Sequence, residues 1–146
     1  MNLTSKEEYG LRAVIYLASN QGVEPIQTRE IARTEGIPEQ FLEQVLNALR
    51  RAGITMSVRG AAGGHKLALS PRTITAGDVI RALSGDIMPI QCLNDSDRCG
   101  HREGCVVLDL WKKVQASVSE VLDGTTIQDM VEERIRRRQG YLMMNI

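Results

Sequence analysis

Cys92, Cys99 and Cys105 are all the cysteines of this chain, and they fall within one stretch of fourteen residues, CLNDSDRCGHREGC. Six residues separate the first pair and five the second. The residues between them are mostly polar or glycine, so the thiols are not core filler. Their chemistry is that of soft ligands: thiolates hold iron–sulfur clusters or zinc, and paired thiols exchange with disulfides. Three thiols supply one ligand fewer than the usual four of a cluster and leave a position open. His101 lies inside the loop and is a candidate for that position; otherwise it is a solvated loop histidine. Zinc on Cys92, Cys99, Cys105 and His101 is a second reading, although the closely spaced cysteine pairs of most zinc sites are absent. A metal-free thiol–disulfide switch using two of the three is a third. Free thiols without a role remain a fourth.

The loop is flanked by elements that would position it. Ahead of it, Thr75-Ala-Gly-Asp78 starts a helix through Val79, Ile80 and Leu83. Behind it, a long helix begins directly after Cys105. Its Val107, Trp111, Val114, Val118 and Val121 alternate at spacings of four and three, a coiled-coil-like seam. The seam predicts a dimerisation helix; the alternative is a helix folded back on its own domain. Gly124 stops it. Thr125-Thr-Ile-Gln128 reads as a capping box opening a last helix that ends in Arg134, Arg136, Arg137 and Arg138.

The N-terminal part is organised differently. Ser5-Lys-Glu-Glu8 reads as a capping box, followed by a helix with Leu11, Val14, Ile15 and Ala18 on one face. Thr28 is placed to cap a short helix through Ile31 and Ala32 that Gly36 ends. A second helix starts near Pro38 and stops at Gly53. Leu42, Val45, Leu46 and Leu49 form its apolar stripe, while Gln40, Glu43, Gln44 and Asn47 share the opposite face. Two short strands are expected at 54–58 and 65–69, joined by Arg59-Gly-Ala-Ala-Gly-Gly64, a flexible, glycine-rich hairpin tip with an arginine at its base.

Two short helices, a tight turn and a glycine-tipped hairpin make a winged helix-turn-helix. Amide side chains can pair with adenine and a carboxylate can accept from cytosine, so Gln40, Glu43, Gln44 and Asn47 are candidates for reading base edges. Thr28, Arg50, Arg51 and Lys66 are candidates for the remaining contacts, the cations meeting phosphates. Arg59 can enter the minor groove. His65 in the wing is a phosphate or strand residue. A winged-helix module that binds protein, with a structural metal, is the alternative from another class. One such unit covers few base pairs; a dimer doubles the site and asks for a pseudo-palindromic duplex.

Bulk properties agree. The 146 residues are 42% apolar and 25% charged with a net charge of zero, so the chain is globular and not a polycation. Charge is nevertheless local: from Gln44 to Arg72 there are five cations and no carboxylate. No segment has the length and apolarity of a membrane span. No basic-then-apolar secretion signal opens the chain. An odd cysteine count fits a reducing cytoplasm better than an extracellular disulfide framework. Nothing resembles a nucleophile–base pair, and the glycine run sits on a hairpin tip, the wrong context for a nucleotide loop. An enzyme is not expected.

Met1 to Arg12 (MNLTSKEEYGLR), Ile31-Ala32 with Ile37-Pro38, Phe41 to Gly53 (FLEQVLNALRRAG) and Ser57 to Ala68 (SVRGAAGGHKLA) resemble the Rrf2 family of bacterial transcription regulators. The resemblance runs from residue 1 to about 122, and its most specific parts are the wing and the three cysteines. It implies a homodimeric winged-helix regulator, here expected to be a repressor. In cluster-binding members the three cysteines hold an iron–sulfur cluster whose state changes DNA binding in response to nitric oxide, redox state, iron or cluster supply. Carried across, Cys92, Cys99 and Cys105 are the iron ligands, Glu43 and Gln44 read bases, and Arg59 enters the minor groove. A 4Fe–4S cluster is slightly favoured over 2Fe–2S, with zinc as the alternative. Some relatives use an acid of the N-terminal helix from the other subunit as a ligand, which makes Glu8 a candidate. Two positions depart from the family: a tyrosine is more usual at His65, and Leu108 stands where the iron–sulfur biogenesis subgroup has a ligand histidine.

The expected architecture is mainly α. A winged helix-turn-helix (1–85) with a two-stranded wing leads into the cysteine loop (86–105). A dimerisation helix (106–124) and a C-terminal helix and tail (125–146) follow.

Overall fold

In the computed structural model, residues 4–87 and 105–145 are described. They form α1 (Ser5–Ser19), α2 (Thr28–Glu35), α3 (Glu39–Arg51), β1 (Thr55–Val58), β2 (Gly64–Leu67), α4 (Ala76–Ser84), α5 (Val106–Asp123) and α6 (Ile127–Met144). The architecture is the mainly helical one expected, with one two-stranded antiparallel sheet among the described residues.

The helix starts follow capping chemistry, with two shifts of one residue. Thr4, not Ser5, caps α1, and its partner is Glu7, not Glu8. The Glu7 carboxylate takes the Thr4 backbone amide at 2.8 Å as well as the Thr4 hydroxyl. Burial pushes its pKa up, but these bonds outweigh it and hold the group below its usual value. Glu8 is left exposed and pairs with Arg12 at 2.6 Å. Likewise Thr126 and Asp129, not Thr125 and Gln128, close the box that opens α6. The Thr75–Asp78 box is where the sequence places it.

The core has two lobes. Ala13, Tyr16, Leu17, Ile31, Ile37, Leu42 and Leu46 join α1, α2 and α3. Val14, Val45, Leu49, Ile54, Ile74, Val79, Leu83, Ile127 and Val131 join α1, α3, α4 and α6. All four residues of the α3 stripe are buried, two in each lobe. Gly10 allows α4 to approach, since a Cβ there would lie 2.2 Å from the Leu83 side chain. Lys6 closes the same contact by donating to the Leu83 carbonyl at 2.5 Å.

α6 runs on past its arginines to Met144, longer than the sequence suggested. Its Arg134 meets Glu35 of α2 at 2.6 Å, and the Glu35 side chain is only 10% exposed. Removing the cation strands a carboxylate that water barely reaches. Arg134→Ala should therefore lower stability by about 1–3 kcal/mol, read as a fall in the urea midpoint.

α5 differs from the other helices. None of its residues is buried, and Val106, Val107, Leu110 and Val121 are exposed. It packs on α4, where Arg81 pairs with Asp123 at 2.5 Å. The α5–α6 junction is fastened to the head by Ala76 N–H donating to Thr125 O at 2.9 Å and Ile127 N–H to Ile74 O at 2.8 Å.

Candidate nucleic-acid interface and cysteine loop

The turn between α2 and α3 depends on Gly36, whose φ of 66° lies in the left-handed region. The Ile37 amide then donates back to Ala32 at 2.9 Å, and Ile37 enters the core. This aims α3 so that its apolar stripe is buried while Gln40, Glu43, Gln44 and Asn47 are exposed. None of these four is held by a hydrogen bond or ion pair among the described residues. Arg50, Arg51 and Arg59 are exposed and likewise free of ion pairs. A one-signed group of arginines thus borders uncommitted amides and a carboxylate, the composition a duplex groove and its phosphates require. Lys66 is more committed: its ammonium donates to Val23 O at 2.9 Å, with donors to spare.

The wing is a braced element. β1 and β2 pair from Thr55–Leu67 to Val58–Gly64. A third segment joins them, as Ile26 N–H donates to His65 O at 3.0 Å and His65 N–H to Ile26 O at 2.7 Å. The glycines at the wing's end serve close approach rather than the flexibility expected of them. A Cβ on Gly63 would lie 2.3 Å from Val58 O, and one on Gly64 would lie 2.4 Å from Ile26 O. Arg59 projects from this fixed base.

Thr28 corrects its sequence assignment. Gln27 occupies the N-cap of α2, and Thr28 is the first helical residue. Its hydroxyl instead meets His65 Nε2 at 3.1 Å across the junction with the wing. Nothing in the local pattern signalled this pairing, because its partners are far apart in the chain. Burial, then the Arg50 charge, lowers the His65 pKa against the opposing pull of Glu43. His65 is therefore a strand residue whose surroundings favour the neutral ring.

Of the cysteine loop, Cys105 falls within the described residues; Cys92, Cys99 and His101 lie outside them. Cys105 is a half-buried free thiol at the N-cap of α5, its carbonyl accepting from Leu108 N–H at 3.1 Å. Among the described residues no group of three or more His, Cys, Asp or Glu side chains converges. No helix among them is long and apolar enough to cross a membrane.

Comparison with known proteins extends the pattern over nearly the whole chain. The family model Rrf2, described as an iron-dependent transcriptional regulator, matches residues 3–133. The chain is 37% identical to the HTH-type transcriptional regulator CymR of Bacillus subtilis over 142 residues, 97% of this chain and 98% of the relative. It is 32% identical to the HTH-type transcriptional regulator IscR of Aliivibrio salmonicida over 138 residues, 94% of this chain and 82% of the relative. The solved structure of CymR, the global cysteine regulator of B. subtilis, superposes with a TM-score of 0.75 at 38% identity, covering 91% of this chain and 98% of that one. That of T. potens IscR gives 0.76 at 36% identity, covering 92% and 88%. These relatives are transcription regulators and not enzymes. With its helix-turn-helix, braced wing and uncommitted basic face, this chain belongs to the Rrf2 family of DNA-binding transcription regulators.

Proposed function

We propose that this regulator acts as a homodimeric repressor on a pseudo-palindromic operator, and that an iron–sulfur cluster on Cys92, Cys99 and Cys105 governs its hold on DNA. The observation that carries the reading is Cys105 at the N-cap of α5. The cysteine segment runs from α4 of the head straight into a helix with an unburied apolar face. Val107, Trp111, Val114, Val118 and Val121 would pack against their counterparts in a second copy. Two heads would then present Gln40, Glu43, Gln44 and Asn47 to two half-sites. Arg50, Arg51 and Lys66 would meet phosphates and Arg59 the minor groove.

The donor set suits the cofactor. Cys105 is free and partly accessible, and Glu8 is exposed, paired with Arg12 on the helix surface and not engaged in the cap. Glu8 from a second copy, or His101, would complete the ligands, with 4Fe–4S slightly favoured over 2Fe–2S. When bound, such a cluster supplies iron that reacts with nitric oxide and oxidants. The 37% identity to CymR favours a second reading, a cluster-free thiol or zinc regulator of cysteine-related genes.

Anaerobic purification with a visible spectrum and iron and sulfide counts separates the two. The first reading expects a coloured protein with both elements; a colourless protein carrying zinc selects the second. Cys99→Ala should shift operator affinity by about 5–150-fold, the usual range of coupling between sites, with the dimer intact by sedimentation. Unchanged affinity relative to the anaerobically loaded wild type would overturn cluster control.

A further inference from the structure

Thr28 and His65 meet where α2, α3 and the wing converge. Thr28 opens α2, whose first backbone amides have no intrahelical acceptor. His65 is held by its own backbone to Ile26 and lies within the fields of Glu43 and Arg50 on α3. The side chains touch through Thr28 Oγ1 and His65 Nε2 at 3.1 Å, while His65 Nδ1 is buried without a partner among the described residues.

Counting hydrogens separates two states of a neutral ring. With its proton on Nδ1, the ring accepts at Nε2, and the Thr28 hydroxyl donates its single hydrogen inward. The buried Nδ1–H is then an unpaired donor. With the proton on Nε2, the ring donates to Thr28 Oγ1 and Nδ1 is left an unpaired acceptor, a commoner deficit in folded proteins than an unpaired N–H. The hydroxyl hydrogen is then free to point out of the protein beside the unpaired amides of α2, a place that suits an anion.

We propose that His65 is a positioning residue for DNA binding: its Nε2–H donates to Thr28 Oγ1 and so commits the Thr28 hydroxyl to donate to a backbone phosphate of the duplex. The inference rests on the reading that this face meets DNA. It deepens that reading by giving a neutral two-residue relay a role beside the arginines. Such a contact carries no sequence information and, being uncharged, releases no counterion.

The test uses the full chain and a duplex selected from random sequence by the wild type. Thr28→Val and His65→Leu should each weaken binding about tenfold or more, the size of a hydrogen bond to a charged acceptor. The dependence of affinity on salt should not change. Thr28→Val with His65→Leu should be no weaker than Thr28→Val alone, because His65 acts through Thr28. His65→Gln, which can place an amide N–H near the Nε2 position, should restore part of the affinity. Ring nitrogen shifts of labelled histidine, assigned with His65→Gln, should show the neutral Nε2–H form in the complex. Equal losses from His65→Leu in the wild-type and Thr28→Val backgrounds would overturn the relay and leave only a wing brace. A charged ring in the complex, with a salt slope reduced by about one on its removal, would overturn it in favour of a direct ionic contact. Normal binding by Thr28→Val would overturn the inference alone. Failure of the wild type to select or retain any duplex would overturn the DNA reading with it.

Discussion

Gly64→Ala should lower stability by about 1–3 kcal/mol, as overpacking does, and weaken operator binding by about tenfold or more. The added methyl would lie 2.4 Å from Ile26 O and 2.6 Å from its carbonyl carbon. Both are backbone atoms, so no side chain can rotate away. Relief requires the wing to leave residue 26, which breaks the 3.0 Å and 2.7 Å backbone bonds between Ile26 and His65. Arg59 and His65 would move with the wing, so stability and affinity should fall together. Gly22→Ala is the control, because nothing lies within 4 Å of a Cβ at that position. Urea unfolding and fluorescence anisotropy with labelled operator provide the two readings. Equal behaviour of the two variants would show that the brace does not matter.

The second large effect is expected from Gln44→Ala combined with Arg59→Ala. Each side chain is exposed and free of partners among the described residues, so truncation leaves no group there unsatisfied. Losses should therefore appear in binding and not in folding. A base contact by Gln44 is worth about 1–3 kcal/mol of discrimination, and its removal should relax preference at one position of the half-site. Arg59 should act differently. Its loss should weaken binding and lower the salt slope by about one per half-site, with preference changing only where groove width matters. Because the two act through separate elements, their effects should add. Competition assays over a panel of operator variants at several salt concentrations distinguish them. An unchanged preference profile in Gln44→Ala would remove α3 from base reading at that position.

The sequence was most legible where one local pattern had one structural solution. The Leu42, Val45, Leu46 and Leu49 stripe permitted only one buried face, and α3 buries it. Gly36 ends α2 because a left-handed residue is needed there. The caps were ambiguous, since Thr4-Ser5-Lys6-Glu7-Glu8 satisfies the box pattern in two registers. The register is settled by packing, which turns Glu7 inward and leaves Glu8 on the surface. The same holds at Thr125-Thr126, where the buried Ile127 sets the phase. Features joining distant segments were not legible. The glycines of the wing promised freedom, yet Gly64 is required by a carbonyl from residue 26. Thr28 had the type of a cap and became the partner of a histidine 37 positions away. For the site itself, the exposed face of α3 was readable from periodicity, and the placement of Cys105 from the helix that follows it. Cys92, Cys99 and His101, outside the described residues, keep their assignment by chemistry and resemblance.

The anchoring of α5 has a mechanical consequence. Its C-terminal end is tied to the head through Asp123 and Thr125, while Cys105 stands at the other end. Eighteen helical residues span about 27 Å, so any tilt about the tethered end would make the helix a lever arm. A tilt of about 10° over that length displaces the far end by about 5 Å, close to one helical pitch. A shift of that size at the thiol end would thus turn the tethered end, and the head fastened to it, by only about 10°, converting coarse movement at Cys105 into fine adjustment of a DNA-reading helix against its groove.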